Sequence, residues 1–238
     1  PEDVFSIDGS TGEIMLGGVP YSEPELSGNL ATVMDWADDF RTLGIRANAD
    51  TPEEARRARD FGATGIGLCR TEHMFFGPGR IEAMQEMILT HSTVARERAL
   101  AKLLPFQRED FVGILTAMKG YPVTVRLLDP PLHEFLPHDR KRQELLADTL
   151  GISLSEVQDR VESLREANPM LGHRGCRLAV TYPEILVMQV RAVVEAVIVC
   201  RRDNIRALPE IMIPLVGTRR ELALLRGLVE HTIEEVVE

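Results

Sequence analysis

Apolar residues fall at two spacings along this chain, and the alternation between them predicts its architecture. From Asn29 to Leu43, Leu30, Val33, Met34, Ala37, Phe40 and Leu43 recur at helical spacing with Trp36 beside them, which predicts an amphipathic helix. Beyond it, short apolar runs alternate with helical stretches. Strands are predicted at Gly44–Asn48, Thr64–Cys69, Pro122–Leu128, Arg174–Ala179 and Glu210–Val216. Between the first two, Asp50-Thr51-Pro52-Glu53-Glu54 offers a polar cap, a proline in the first turn and acids at the positive end of the dipole, so a helix starts there and runs through Arg59. Leu100–Met118 carries one helix or two, with Pro105 marking a break. Ser155–Ala167 and Pro183–Arg201 are amphipathic, and a last helix runs from about Thr218 to Glu230.

Strands alternating with helices define an α/β protein with parallel strands. An open doubly wound sheet and a (β/α)8 barrel both fit. A barrel needs about 250 residues, and only about five of its eight strand–helix units are present here. The prediction is a partial (β/α)8 TIM-type barrel with a helical insertion, residues 137–167, after the third strand. An incomplete barrel would expose the Ile211–Val216 strand as an edge, which favours self-association. Before the barrel, Val4–Ile7 and Glu13–Met15 read as a hairpin around Asp8-Gly9-Ser10-Thr11-Gly12, too short to bury a core. Leu16–Ser27, rich in Gly, Pro, Ser and Glu, reads as a linker.

Composition narrows the partners. The chain is 44% hydrophobic, 27% charged and only 5% aromatic, with a formal net charge of −10. An acidic total argues against nucleic acid, which needs clustered positive charge. No apolar stretch is long enough to span a bilayer. Cys69, Cys176 and Cys200 form no CxxC pair, which suits reduced core thiols in a cytoplasmic protein and no zinc site.

The candidate chemistry lies in three arginines. Arg70 ends the Ile66–Cys69 run, Arg126 ends Val123–Val125, and Arg174 opens the fourth predicted strand. The carboxyl ends of parallel strands gather on one face. Guanidiniums converging there would grip phosphate and carboxylate oxygens in pairs. The plainer alternative is that each arginine pairs with a nearby acid, Glu72 or Asp129. His73, His133 and His173 stand near the arginines, but their spacing matches no metal-ligand motif. Asp139-Arg140-Lys141-Arg142 reads as a solvated helix start.

Three segments carry a resemblance to a known family. Gly65-Ile66-Gly67-Leu68-Cys69-Arg70-Thr71-Glu72-His73-Met74-Phe75, preceded by Arg46-Ala47-Asn48-Ala49-Asp50-Thr51-Pro52, resembles the first arginine signature of the phosphoenolpyruvate-utilising enzymes. Val125-Arg126-Leu127-Leu128-Asp129-Pro130-Pro131-Leu132-His133-Glu134-Phe135 resembles the second, and Asn168-Pro169-Met170-Leu171-Gly172-His173-Arg174-Gly175 the third. The His-Met-Phe-Phe, Leu-Leu-Asp-Pro-Pro and Gly-His-Arg-Gly-Cys-Arg runs, with the long insertion, are similar to the dikinase branch rather than to the synthase or sugar-phosphotransferase branches.

That resemblance implies a reaction: ATP, phosphate and pyruvate interconverted with AMP, diphosphate and phosphoenolpyruvate through a phosphohistidine. It implies that Arg70 and Arg126 bind the transferring phosphoryl group and that Arg174 adds charge to the same pocket. It implies a division into residues 1–18, the tail of the swivelling phosphohistidine domain; 19–42, a linker with its helix; and 43–238, the N-terminal part of the phosphoenolpyruvate/pyruvate-binding barrel. The partners implied are phosphoenolpyruvate or pyruvate, the phosphohistidine and nucleotide-binding domains of the full-length chain, and a second copy in a homodimer. Magnesium is the family's cofactor, but its ligands are a Glu and an Asp on later barrel strands, the Asp in a Gly-Thr-Asn-Asp segment that this sequence lacks, so none is expected to be held here. The carrier-histidine and proton-donor motifs are also missing, so this stretch alone is expected to be inactive.

Overall fold

The computed structural model describes residues 3–21 and 27–238. The predicted linker falls partly on residues 22–26, outside the described residues. The chain divides into two units, Pro1–Leu43 and Gly44–Glu238.

In the first unit, β1 (Phe5–Ile7) and β2 (Ile14–Leu16) pair antiparallel, with Phe5 opposite Leu16 and Ile7 opposite Ile14. Asp8 builds the turn by accepting from the Ser10 and Thr11 amides at 2.8 and 3.2 Å, a side-chain mimic of a backbone turn. Helix α1 (Gly28–Phe40) follows and buries none of its residues.

The second unit is built on four parallel strands, β3 (Ala47–Asn48), β4 (Ile66–Arg70), β5 (Pro122–Arg126) and β6 (Leu208–Met212), in the order β3-β4-β5-β6. Helix α2 (Pro52–Asp60) joins β3 to β4; a 3-10 turn (Thr71–Phe75), α3 (Arg80–Leu89) and α4 (Thr93–Ala117) join β4 to β5. A second 3-10 turn (Leu132–Phe135), α5 (Arg140–Leu150), α6 (Leu154–Ser163), α7 (Cys176–Thr181) and α8 (Pro183–Arg202) join β5 to β6, and α9 (Arg219–Val237) follows. Sequential parallel strands with helical crossovers are the local order of a (β/α)8 barrel. The described residues do not close one, and α5 and α6 form the insertion after the third strand as predicted.

The core lies between sheet and helices. Ile66, Cys69, Val123 and Val125 pack against Phe111, Ile114, Val193 and Ala196 of α4 and α8. A second cluster, around Phe75, Met84, Leu103, Phe135, Leu146 and Val157, seats the insertion. A third joins Leu127, Cys176 and Leu186 to Leu225 and Val229 of α9.

Two expectations are corrected. The segment predicted as a fourth strand, Arg174–Ala179, enters α7 at Cys176 and is helical from there on, so the unit holds four strands rather than five. The alternation of Cys176, Leu178 and Val180 is too short to tell strand from helix. Strand β6 pairs directly with β5, so the place beside β5 that a fourth strand would take is already filled. Gly175 makes the entry, at φ 57° and ψ −132°, and a Cβ there would meet Leu215 at 3.0 Å. The second correction concerns Pro105, which lies inside a continuous 25-residue α4. Its ring faces solvent, and α4 is held on its buried sides by α3 and α8, so packing outweighs one lost backbone bond. β6 also ends at Met212, four residues short of its predicted end, where the chain turns away and Leu215 adopts φ 59°.

Candidate functional site

Arg70 and Arg126 are the last residues of adjacent parallel strands and are register partners, with Met212 next in line on β6. Parallel pairing therefore delivers both guanidiniums to one edge of the sheet, as the spacing predicts. Each strand then enters a 3-10 turn. The two turns are tied together: Thr71 Oγ1 donates to the Arg126 carbonyl at 2.9 Å, and Phe75 packs edge-to-face on Phe135 with centroids 6.2 Å apart. Such a contact adds directional packing to apolar burial.

Every one of the three arginines meets a carboxylate: Arg126 and Arg174 take the expected Glu72 and Asp129, whereas Arg70 takes Asp50 instead. Arg70 donates from its backbone amide to Asp50 Oδ1 at 2.6 Å and from Nε to Oδ2 at 2.9 Å. The Asp50 hydrogen bond is the main cause that raises the Arg70 pKa above its ordinary value, so the cation is permanent. Asp50 also meets His73 Nδ1 at 2.8 Å. The polar cap expected in Asp50-Thr51-Pro52-Glu53-Glu54 is Thr51, whose hydroxyl accepts from the Glu54 amide at 3.2 Å. Asp50, not used as the cap, is free to hold Arg70. The one available signal is a second polar residue before an N-cap that already suffices.

Arg126 bonds Glu72 through Nη2 and reaches Asp129 Oδ2 from Nη1 at 3.1 Å. Arg174, although on no strand, joins the same group. Its Nη2 meets Asp129 Oδ2 at 2.8 Å and its Nε donates to the Asp129 carbonyl at 3.2 Å. Glu72 and Asp129 are both buried. Glu72 Oε2, Arg126 Nε and Asp129 Oδ1 are buried without a hydrogen-bond partner. A fold leaves such groups unsatisfied only at a cost, and here they gather around the three arginines.

The histidines take other roles. His173 Nε2 meets Thr181 Oγ1 at 2.9 Å, and His133 Nδ1 is buried without a partner. A cavity of about 650 Å³ lined by His133, His138, Gln143 and Glu162 lies on the insertion rather than at the arginines. Among the described residues, no group of three or more His, Cys, Asp or Glu side chains is arranged to hold a metal ion. At the arginine centre the Glu72 and Asp129 carboxylates face guanidiniums, an arrangement that suits an anion rather than a magnesium ion. No described helix is long and apolar enough to cross a membrane.

Fold and site together define a β/α-barrel-type domain with arginines along its carboxyl edge. Residues 24–238 match the family described as PEP-utilising enzyme, PEP-binding domain, and the chain belongs to that family. It is 53% identical to the pyruvate, phosphate dikinase of Rhizobium meliloti over 99% of its own length and 26% of that protein's. It is 54% identical to the dikinase of Giardia intestinalis, with 98% and 26% covered, and 53% identical to that of Clostridium symbiosum, with 98% and 27% covered. The chain thus spans about a quarter of the length of the curated relatives it matches.

Proposed function

We propose that this chain supplies the phosphoenolpyruvate/pyruvate site of a pyruvate, phosphate dikinase. That enzyme interconverts ATP, phosphate and pyruvate with AMP, diphosphate and phosphoenolpyruvate through a phosphohistidine. The observation that carries the reading is the register pairing of Arg70 with Arg126 at one strand edge, in a chain 53% identical to dikinases. Arg70 and Arg126 grip the transferring phosphoryl group, and Arg174 adds charge beside them. In the step served here, the P–N bond of the carrier histidine breaks and a P–O bond forms to the enolate oxygen of pyruvate, whose methyl carbon has lost a proton. Charge spreads over the three phosphoryl oxygens in the transition state, so fixed guanidiniums aimed at them are the catalyst this chemistry needs.

Neither Cys69 nor Cys176 serves as the proton donor. Both are buried, and burial is the main cause that raises each thiol pKa. The proton donor, the magnesium ligands, the carrier histidine and the nucleotide site belong to other parts of the full-length protein. Residues 1–18 are the tail of the phosphohistidine domain, residues 19–42 the linker and residues 43–238 the first part of the barrel. The protein works as a homodimer in the cytoplasm.

The test is Arg126→Leu in the full-length protein, with the two half-reactions measured separately. The pyruvate half-reaction is expected to be lost while ATP still phosphorylates the carrier histidine. A lost charge-assisted contact weakens binding by about 1.5–3 kcal/mol, and the rate falls further because the stabilised charge develops in the transition state. Equal loss in both half-reactions would assign Arg126 to the fold instead.

A further inference from the structure

Arg174 reaches the site by a different route from the other two arginines. Arg70 and Arg126 are fixed by their strands, whereas Arg174 stands in the irregular stretch between α6 and α7. Its tethers converge on one residue. Asp129 accepts Arg174 Nη2 on its carboxylate at 2.8 Å and Arg174 Nε on its carbonyl at 3.2 Å, and the same carbonyl takes the Gly175 amide at 3.0 Å. The remaining side-chain contact, Arg174 Nη1 to the Pro169 carbonyl, is at 3.5 Å, the outer limit of a hydrogen bond, and the Arg174 amide donates only locally, to the Gly172 carbonyl at 3.1 Å.

The carboxylate oxygen that holds Arg174 also faces Arg126 Nη1 at 3.1 Å. One oxygen thus stands between two guanidiniums from separate segments. Two like charges brought together repel, and a buried anion between them removes that cost.

The backbone explains why Asp129 can serve as this post. Leu127 and Leu128 before it are buried, and the Leu128 amide donates to the buried side chain of Gln189 at 2.8 Å. Pro130 follows directly and Pro131 after it; a residue before proline is confined to extended conformations. The carboxylate therefore projects from a rigid support. Its second oxygen is buried and unpartnered, which a merely structural ion pair would avoid.

We propose that Asp129 is the positioning residue that aligns Arg126 and Arg174 as one phosphoryl-binding unit. This rests on the dikinase reading above. Asp129 touches no substrate and acts through the two guanidiniums. Without its charge, Arg174 loses its anchor and Arg126 turns to Glu72 alone, so the forks no longer converge.

The experiment uses the full-length protein carrying Asp129→Ala, Arg174→Ala or both, with Asp129→Asn as the variant that keeps the volume should alanine disturb the loop. The pyruvate half-reaction is expected to slow about 100-fold in Asp129→Ala, the cost of misplacing a positioned group by about 1 Å. Phosphorylation of the carrier histidine by ATP stays unchanged. Arg174→Ala is expected to add little on top of Asp129→Ala, because the alignment is already lost. Asp129→Asn falls between, since one acceptor remains without the charge.

Independent, multiplying effects of the two substitutions would overturn the inference. So would a parallel fall of both half-reactions with the thermal midpoint, which marks a structural role alone. Wild-type turnover with an unaffected Asp129→Asn would overturn this inference and leave the dikinase reading standing. Wild-type protein unable to form phosphoenolpyruvate from pyruvate would overturn both.

Discussion

Arg46, at the foot of β3, forms a two-pronged ion pair with Glu210 on β6, spanning the sheet from one edge to the other. Arg46 Nη2 donates to Glu210 Oε1 at 3.1 Å, Nη1 donates to Glu210 Oε2 and to Thr124 Oγ1, and Thr124 itself donates to Glu210 at 2.8 Å. The side chain passes over β4 where that strand has no side chains to obstruct it: a Cβ at Gly67 would meet Arg46 Cβ at 3.1 Å. At Gly65 it would meet the Pro122 carbonyl at 3.0 Å and Arg46 Cγ at 3.2 Å. Because the carbonyl is backbone, it cannot swing aside. Gly65→Val is therefore expected to destabilise the protein by about 1–3 kcal/mol through overpacking, read as a lower urea midpoint. An unchanged midpoint would mean that β4 and β5 can separate freely.

The same pair makes stability depend on acid. The hydrogen bond from Arg46 is the main cause that lowers the Glu210 pKa below its ordinary 4.5. A depressed folded pKa contributes stability that is full above the unfolded value and is lost as pH falls through the folded one. The gap in thermal midpoint between wild type and Glu210→Gln should be widest near neutrality, shrink once pH drops below 4.5, and close when Glu210 is protonated. A gap that ignores pH would rule out the ion pair as its source.

Pro105 gives a prediction of the opposite sign. It is exposed inside α4, and a solvent-facing helix interior favours alanine over proline by up to about 3 kcal/mol. Pro105→Ala restores an amide able to donate to the Ala101 carbonyl and is expected to stabilise by about 1–3 kcal/mol. Differential scanning calorimetry would show a raised midpoint; a lowered one would mean that the proline constrains the unfolded chain more than it weakens the helix.

The thiols should be silent until the fold opens. Cys69, Cys176 and Cys200 are all buried, and burial is the main cause of a raised pKa at each. At about pH 8, where an exposed cysteine already has substantial thiolate, an aromatic disulfide reagent should label none of the three in native protein and all of them after denaturation. Rapid labelling of Cys176 in the native state would place it on the accessible face.

Much of the site was legible in the chain. Apolar runs ending in Arg70 and Arg126 predict strands with their arginines at one edge, and β4 and β5 align those two residues as register partners. Phe75 and Phe135 close the signature segments and meet in the core. The insertion's helices and the Asp139 cap, which accepts from the Arg142 amide at 2.9 Å, were equally local. Helix capping and hydrophobic period are set by neighbours within a few residues, so sequence carries them.

What the sequence could not decide depends on contacts between distant segments. Whether Cys176–Thr181 is strand or helix turned on whether β5 had a free edge, and it had none. Whether Pro105 broke α4 turned on the helices packed around it. Asp50 carries a cap's sequence signature, yet it lies 20 residues before the arginine it holds. Asp129 lies 45 residues before Arg174, and only the folded chain brings that arginine, stranded in a loop, to the carboxylate that also faces Arg126. Local pattern determined the strands and the two arginines that end them; long-range packing and charge pairing decided how the third arrives and which acids hold all three.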